Sequence, residues 1–207
     1  DMAHFSPSYM PWDERLCAVP DADLFKDLRD GKASVVTDHI ETFTENGILL
    51  KSGRELEADI IITATGLNLQ VLGGMQLSLN GEPLDVSERM TYKGVLMEGV
   101  PNMAWVFGYT NASWTLKADI AAAYVCRLLN YLKENRLSVA MPRAECAQPQ
   151  QDHSIMDALG SGYVQRSSHL LPRQGQGHPW RVTNHYAHDS HMLLEEPVED
   201  GFLAFSR

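Results

Sequence analysis

The sequence predicts a mixed α/β fold, and a few stretches of the chain carry this prediction. Segment 59–66 (DIIITATG) contains three consecutive isoleucines, which is typical of a parallel strand buried on both faces of an α/β sheet. Segments 33–37, 40–44 and 47–51 are rich in β-branched or alternating apolar residues and predict short strands. Segment 115–134 has apolar residues at every fourth position and predicts one long buried helix.

Turn and cap signals define the shorter elements. Asp21 or Asp23 is predicted to cap a short helix that ends at Gly31. A Ser-Gly pair at 52–53 and an Asn-Gly pair at 80–81 each predict the turn of a hairpin.

The second half of the chain begins with a second apolar strand and ends without a regular pattern. Segment 104–108 predicts a short strand that ends in glycine, and Ser113 or Thr115 is predicted to cap the long helix. Segment 138–207 contains five prolines and no clear periodicity, so it is predicted to be irregular.

Composition excludes several classes of protein. A chain of 207 residues that is 44% hydrophobic and 21% charged can bury a core and is not a disordered protein. Acidic residues outnumber basic ones by 27 to 17, which argues against nucleic acid as a partner. Three cysteines without a CxxC pair predict a reduced, cytoplasmic chain. Neither a transmembrane segment nor the apolar region of a signal peptide is predicted.

Two places in the sequence are candidates for ligand binding. The predicted strand 59–66 ends in Thr65 and Gly66, and ligands of open α/β sheets lie at the carboxyl ends of strands. A simple turn at Gly66 explains the same residues equally well. Segment 104–116 predicts a strand, a turn of small residues and a helix N-terminus, which together form an electropositive backbone pocket. Such a pocket suits a phosphate, a carboxylate or the electron-rich edge of a flavin.

Other chemical patterns are weak. His185, His188 and His191 are spaced three apart, but six-residue spacing places the outer two about 240° apart around a straight helix. We therefore interpret them as a solvated polar segment and predict no metal site. No G-x-S-x-G, P-loop or G-x-G-x-x-G motif occurs.

Longer strings of the sequence are more specific. They are HFSPSYMPWDERLC (4–17), LEADIIITATGLNLQ (56–70), GVPNMAWVFGYTNASWTLKAD (99–119) and the run GYVQRS…LPRQG…PWR (162–181). With these strings the chain resembles the C-terminal part of class B flavoprotein monooxygenases, which comprise the flavin-containing and Baeyer–Villiger monooxygenases. The likeness is strongest to the ethionamide-activating type.

The resemblance implies a partial Rossmann-like fold that binds two dinucleotides. It implies that 1–66 is the C-terminal part of an NADPH-binding domain. Segment 67–137 would return to the FAD-binding domain and supply its flavin-facing helix, and 138–207 would be an irregular extension. It also implies that NADPH reduces FAD and that O2 adds to give a flavin C4a-(hydro)peroxide. That species would oxygenate a small ketone, sulfide or amine.

The same resemblance assigns roles to particular residues. Arg15 matches the active-site arginine, whose permanent charge suits the stabilisation of an anion. Thr65 and Gly66 match the cofactor-binding A-T-G stretch where the chain returns to the FAD domain.

The long helix is implied to meet the flavin at its N-terminus, where backbone N–H groups would stabilise negative charge on the ring. The matching positions are Ser113, Trp114, Thr115 and Leu116 at the flavin, Asn111 and Trp114 beside the substrate, and Trp180 near NADP.

The family's glycine-rich nucleotide motifs are absent from this sequence, which begins at Asp1. We therefore expect a C-terminal fragment that neither holds FAD tightly nor turns over by itself. We also expect self-association through surfaces that the N-terminal half normally covers. The alternative is a non-catalytic assembly or binding module that complements a separate nucleotide-binding chain.

Overall fold

The described residues divide into two units. The computed structural model describes residues 2–10, 13–14, 17–143, 149–156 and 159–207. The first unit is Asp1–Leu67 and the second is Asn68–Arg207. The helices are α1 (Asp23–Arg29), α2 (Trp114–Glu134), α3 (Gly162–Ser167) and α4 (Tyr186–Leu194). The strands are β1 (Ile40–Phe43), β2 (Gly47–Leu50), β3 (Glu55–Glu57), β4 (Leu77–Leu79), β5 (Glu82–Leu84), β6 (Thr91–Tyr92), β7 (Leu96–Met97), β8 (Val139–Pro142), β9 (Pro149–Ser154), β10 (Arg173–Gly175) and β11 (Leu203–Ser206).

The strands form small sheets in which every paired strand of the described residues is antiparallel. The first unit holds one three-stranded sheet, in the order β1-β2-β3. The second unit holds four two-stranded sheets, which pair β4 with β5, β6 with β7, β8 with β11 and β9 with β10. The predicted mixed α/β composition is therefore confirmed at this level.

Local signals in the first unit predicted most of its elements. The strands predicted at 40–44 and 47–51 form β1 and β2, and the chain turns at Gly53, whose φ of 86° favours glycine. Helix α1 also forms and is followed by Gly31 with φ 72°. The predicted caps are wrong, because Ala22 occupies the N-cap position. Asp21 lies one residue too early for that role, and Asp23 is already helical.

The predicted parallel strand at 59–66 is absent from the structure. Ile60, Ile61 and Ile62 lie in unpaired backbone and are 81%, 38% and 85% exposed. A parallel strand needs neighbouring strands at its edges, and the strands of the described sheets all pair with one another in antiparallel fashion, none of them with 59–66. The β-branched segment 33–37 likewise forms no strand, for lack of a partner.

Helix α2 organises the core of the second unit. It begins after Ser113 and ends before Asn135, as predicted, and Ile120, Tyr124 and Leu128 are buried at four-residue spacing. Helix α4 and strand β11 contribute to the same cluster. The prediction of a buried helix holds for one face only, since Leu116 and Leu129 are 39% and 58% exposed. Its described neighbours cover one face only.

Segment 138–207 is more regular than predicted. Its described residues form α3, α4 and four strands, and β8 pairs with β11 over four residues. Its prolines mark the ends of elements instead of preventing them: Pro142 closes β8, Pro149 opens β9 and Pro172 precedes β10.

The two predictions between residues 77 and 108 have opposite outcomes. The hairpin at 80–81 is confirmed, because β4 and β5 pair across Asn80 and Gly81, which have φ values of 55° and 90°. The prediction of a strand at 104–108 is wrong. Only a single bridge between Ala104 and Leu96 forms there, and the backbone then leaves the sheet.

Candidate functional site

The residues expected to meet a cofactor lie together at the N-terminus of α2. We call residues 110–117 the α2 turn. Within it, Asn111, Ser113, Trp114, Thr115 and Leu116 are all exposed. Ser113 occupies the N-cap position but makes no side-chain cap to the backbone; its hydroxyl lies 2.7 Å from that of Thr115. The first N–H groups of α2 therefore receive no side-chain cap from Ser113, and the helix dipole makes this end electropositive.

Trp114 is fixed in place by an aromatic neighbour and a glycine. Its ring centroid lies 5.5 Å from that of Phe107. A Cβ at Gly108 would lie 2.1 Å from Trp114 Cγ, so only glycine permits this approach. About half of the Trp114 side chain remains exposed and forms a flat apolar wall beside the helix end.

Asn184 holds the residues that precede α2. Its side-chain oxygen accepts a hydrogen bond from the Thr110 N–H at 3.3 Å. Its backbone oxygen accepts from the Asn111 side-chain amide at 3.1 Å. Asn184 has φ 51°, a left-handed conformation that asparagine tolerates better than most residues.

A buried ion pair holds the first turn of α2 itself. Lys117 Nζ lies 2.9 Å from Asp189 Oδ2, and both side chains are at least 95% buried. The Thr183 hydroxyl donates to Asp189 Oδ1 at 2.9 Å. Lys117 Nζ also lies 5.8 Å from the centre of the Tyr109 ring. Burial lowers the pKa of Lys117, and the negative charge of Asp189 opposes this effect.

Asn184, Thr183 and Asp189 were missed at the level of sequence. A signal for Lys117 did exist, because this lysine falls on the same stripe of α2 as the buried Ala121 and Tyr124. A lysine on a buried stripe requires a partner. The sequence alone does not indicate which acidic residue supplies it.

The other predicted residues lie apart from this turn or outside the description. Thr65 and Gly66 are exposed residues of the first unit, and Gly66 has φ 102°. Arg15 lies outside the described residues. Trp180 is 3% exposed in the core of the second unit and packs edge-on against Tyr92 at 5.4 Å.

His185, His188 and His191 run from the N-cap to the last turn of α4, and all three are exposed and do not converge. His185 Nδ1 accepts a hydrogen bond from the His188 N–H at 3.2 Å, and His191 pairs with Glu195 at 2.8 Å. In the part of the chain that the structure describes, no group of three potential ligands is placed to hold a metal ion. No described helix is long and apolar enough to cross a membrane.

An open pocket of about 950 Å³ also lies in the second unit, apart from the α2 turn. The β4–β5 hairpin and residues 169–170 line it, and none of the predicted site residues takes part.

Comparison with known proteins finds relatives that match this chain over all or nearly all of its residues. MymA of Mycobacterium tuberculosis, whose name describes an FAD-containing monooxygenase, is 61% identical over the whole chain. AlmA of an Acinetobacter species, named as an FAD-binding monooxygenase, is 53% identical over the whole chain. FAD-containing monooxygenase EthA of Mycolicibacterium smegmatis is 51% identical over 99% of it.

This chain is homologous to the C-terminal part of FAD-containing monooxygenases. The predicted resemblance is thereby confirmed. The chain spans 41% of the length of each of these three relatives. No family model matches it, and no solved structure does.

The α2 turn fits one part of a flavin. Uncapped N–H groups at a helix N-terminus are suited to the oxygen- and nitrogen-rich edge of the ring, where negative charge collects on reduction. The chain carries no glycine-rich loop for the phosphates of a dinucleotide. The described residues therefore fit a contact with the ring edge, without a cradle for the rest of the cofactor.

Proposed function

We propose that this chain supplies the C-terminal part of an FAD- and NADPH-dependent monooxygenase that oxygenates small ketones, sulfides or amines. The observation that carries the proposal is the homology of the whole chain to FAD-containing monooxygenases. The exposed and uncapped start of α2 supports it, since it offers a contact for a flavin ring.

The proposed domain organisation is Rossmann-like and depends on sequence beyond this chain. Segment 1–66 would complete the NADPH-binding domain and 67–137 the FAD-binding domain, with 138–207 as an extension. The exposed isoleucines at 60–62 support this arrangement, because a buried parallel strand would form there once neighbouring strands are present. A cytoplasmic location is proposed with it.

Each site residue has a proposed task. When bound, the flavin supplies the redox chemistry with O2. The first-turn N–H groups of α2, at 114–116, stabilise negative charge on the ring edge. Asn111 and Trp114 line the substrate side, where the exposed indole excludes water from one wall. Arg15 carries a permanent positive charge that stabilises an anion formed during oxygenation. Thr65 and Gly66 are proposed cofactor contacts, whereas Trp180 could contact NADP only by leaving the core in which it is buried.

A chimaera tests the proposal directly. Residues 1–207 replace the corresponding C-terminal part of EthA from M. smegmatis, and the purified protein is assayed for bound flavin and for NADPH oxidation that depends on a sulfide. We expect the chimaera to retain stoichiometric FAD and to form sulfoxide, and the 207-residue chain alone to purify without flavin. A chimaera that folds without binding FAD would contradict the proposal. An isolated chain that retains FAD stoichiometrically would contradict the expectation that the chain does not hold FAD by itself.

The same chimaera tests Arg15. With Arg15→Ala we expect NADPH to reduce the flavin anaerobically while oxygenated product is lost. Arg54→Ala, at an exposed arginine of the β2–β3 turn, is the control and should keep both steps. Product formation by the Arg15 variant at the level of the control would refute the assigned role.

A further inference from the structure

One short segment, 183–189, contacts both ends of the α2 turn. Before the helix, Asn184 binds Thr110 and Asn111 through two hydrogen bonds. Inside the first turn of the helix, Asp189 binds Lys117. The contacting residues are 72 to 74 positions apart in sequence, so this arrangement arises only from tertiary folding.

The contact to Asn111 determines how its side chain is presented. Its amide nitrogen donates to the Asn184 carbonyl oxygen, and this fixes the rotamer of an otherwise exposed residue. The amide oxygen of Asn111 takes no part in this contact. Asn184 therefore orients a group that the proposed function places beside the substrate.

The contact to Lys117 is of the kind that specifies geometry more than it adds stability. Removing a lysine and an aspartate from water costs several kcal/mol per ion in general, and the attraction between them offsets this cost only when the pairing is close. Thr183 supplies a further hydrogen bond to the carboxylate, and His188 Nδ1 lies 3.7 Å from the same oxygen, so Asp189 is held by more than its lysine. Apolar side chains would fill the same space without fixing the position of the helix start.

We propose that segment 183–189 is a positioning element for the α2 turn, and that Asn184 and Asp189 are positioning residues that hold Asn111 and Trp114 in register with flavin and substrate. This inference rests on the proposed function for its consequence in oxygenation. Its structural half, the restraint on the turn, stands independently.

Amide hydrogen exchange of the 207-residue chain tests the restraint without any cofactor. Asn184→Gly permits the left-handed backbone and removes the side-chain oxygen that accepts from the Thr110 N–H, while the backbone oxygen that accepts from Asn111 remains. Asp189→Asn removes the negative charge of the ion pair. We expect each variant to accelerate exchange of the amides at 110–117 about tenfold or more beyond any acceleration in the β8–β11 pair.

The control for this measurement is Asp200→Asn. Asp200 belongs to a second network, in which its carboxylate lies 3.2 Å from Lys93 Nζ. This variant should leave exchange at 110–117 unchanged. Unchanged exchange in the Asn184 and Asp189 variants, or an equal increase across the whole second unit, would overturn the proposal.

The consequence for oxygenation is measured in the EthA chimaera as product formed per NADPH oxidised, normalised to bound flavin. We expect Asn184→Gly and Asp189→Asn to lower this ratio severalfold, and Thr183→Ser, which keeps the hydroxyl donor, to retain it. A merely structural role would reduce flavin content and yield but leave the ratio per flavin at the wild-type value, and this result would refute the positioning role. Failure of the chimaera to bind flavin would refute the proposed function while the exchange result still stands.

Discussion

The two units of this chain carry similar local structure but very different cores. The first unit has a helix and a three-stranded sheet, yet Leu50 is its only buried apolar side chain among the described residues. The second unit buries two clusters, one around α2 and one around Trp105 and Phe107. Hairpins and short helices form from signals within a few residues, whereas a core needs segments that are distant in sequence.

The same contrast appears in the ion pairs. Lys117 and Asp189 of the second unit lie 2.9 Å apart with side chains 4% and 3% exposed. Lys26 and Asp23 of the first unit lie 3.4 Å apart with side chains 54% and 71% exposed. Both pairs join a lysine to an aspartate, so the difference in burial should decide how much the loss of each pair lowers the free energy of unfolding.

The largest expected effect comes from breaking the buried pair. Lys117→Met leaves the Asp189 carboxylate buried without its cation and should lower the free energy of unfolding of the second unit by about 3–5 kcal/mol. Lys26→Met, the matched change at the exposed pair, should cost at most about 0.5 kcal/mol. Urea unfolding followed by tryptophan fluorescence measures both. Equal losses would show that burial does not separate the two pairs.

A smaller effect is expected from deleting apolar volume. Leu193 of α4 is fully buried against α2, so Leu193→Ala should destabilise the second unit by about 2–5 kcal/mol through lost burial and a residual cavity. Ile62→Ala in the first unit removes a side chain that is 85% exposed and should change stability by less than about 0.5 kcal/mol. The same urea experiment applies. A large loss for Ile62→Ala would mean that the isoleucine run is covered in solution.

Patterns that are local in sequence predicted the elements that fold locally. The stripe of α2 and the Asn80-Gly81 turn are examples, since each depends on residues within one element. The strand at 59–66 could not be decided this way, because pairing depends on neighbours that no local pattern specifies. The predicted irregularity of the C-terminal segment failed for the related reason that β8 pairs with a strand 61 or more residues further along the chain.

The candidate site divides along the same line. The α2 turn was predictable, because a helix N-terminus can be recognised from its cap residues and its apolar repeat. Asn184 and Asp189 were not, since an asparagine and an aspartate in a histidine-rich stretch carry no mark of the residues they bind.

The smallest expected effect concerns alkaline pH and is confined to the second unit. Burial raises the pKa of the Tyr92 hydroxyl, and its hydrogen bond to Asp200 raises it further. The unfolded chain loses this proton near pH 10 while the folded chain keeps it, so the unfolded state binds fewer protons and stability falls as pH rises above 10. Tyr92→Phe should make this fall shallower by about 1.4 kcal/mol per pH unit.

Tyr9→Phe, at a tyrosine of the first unit that is 51% exposed, serves as the control and should leave the slope as in the wild-type chain. Urea unfolding at a series of pH values from 9 upward measures the slopes, and identical slopes for the two variants would show that the folded second unit does not hold the Tyr92 proton.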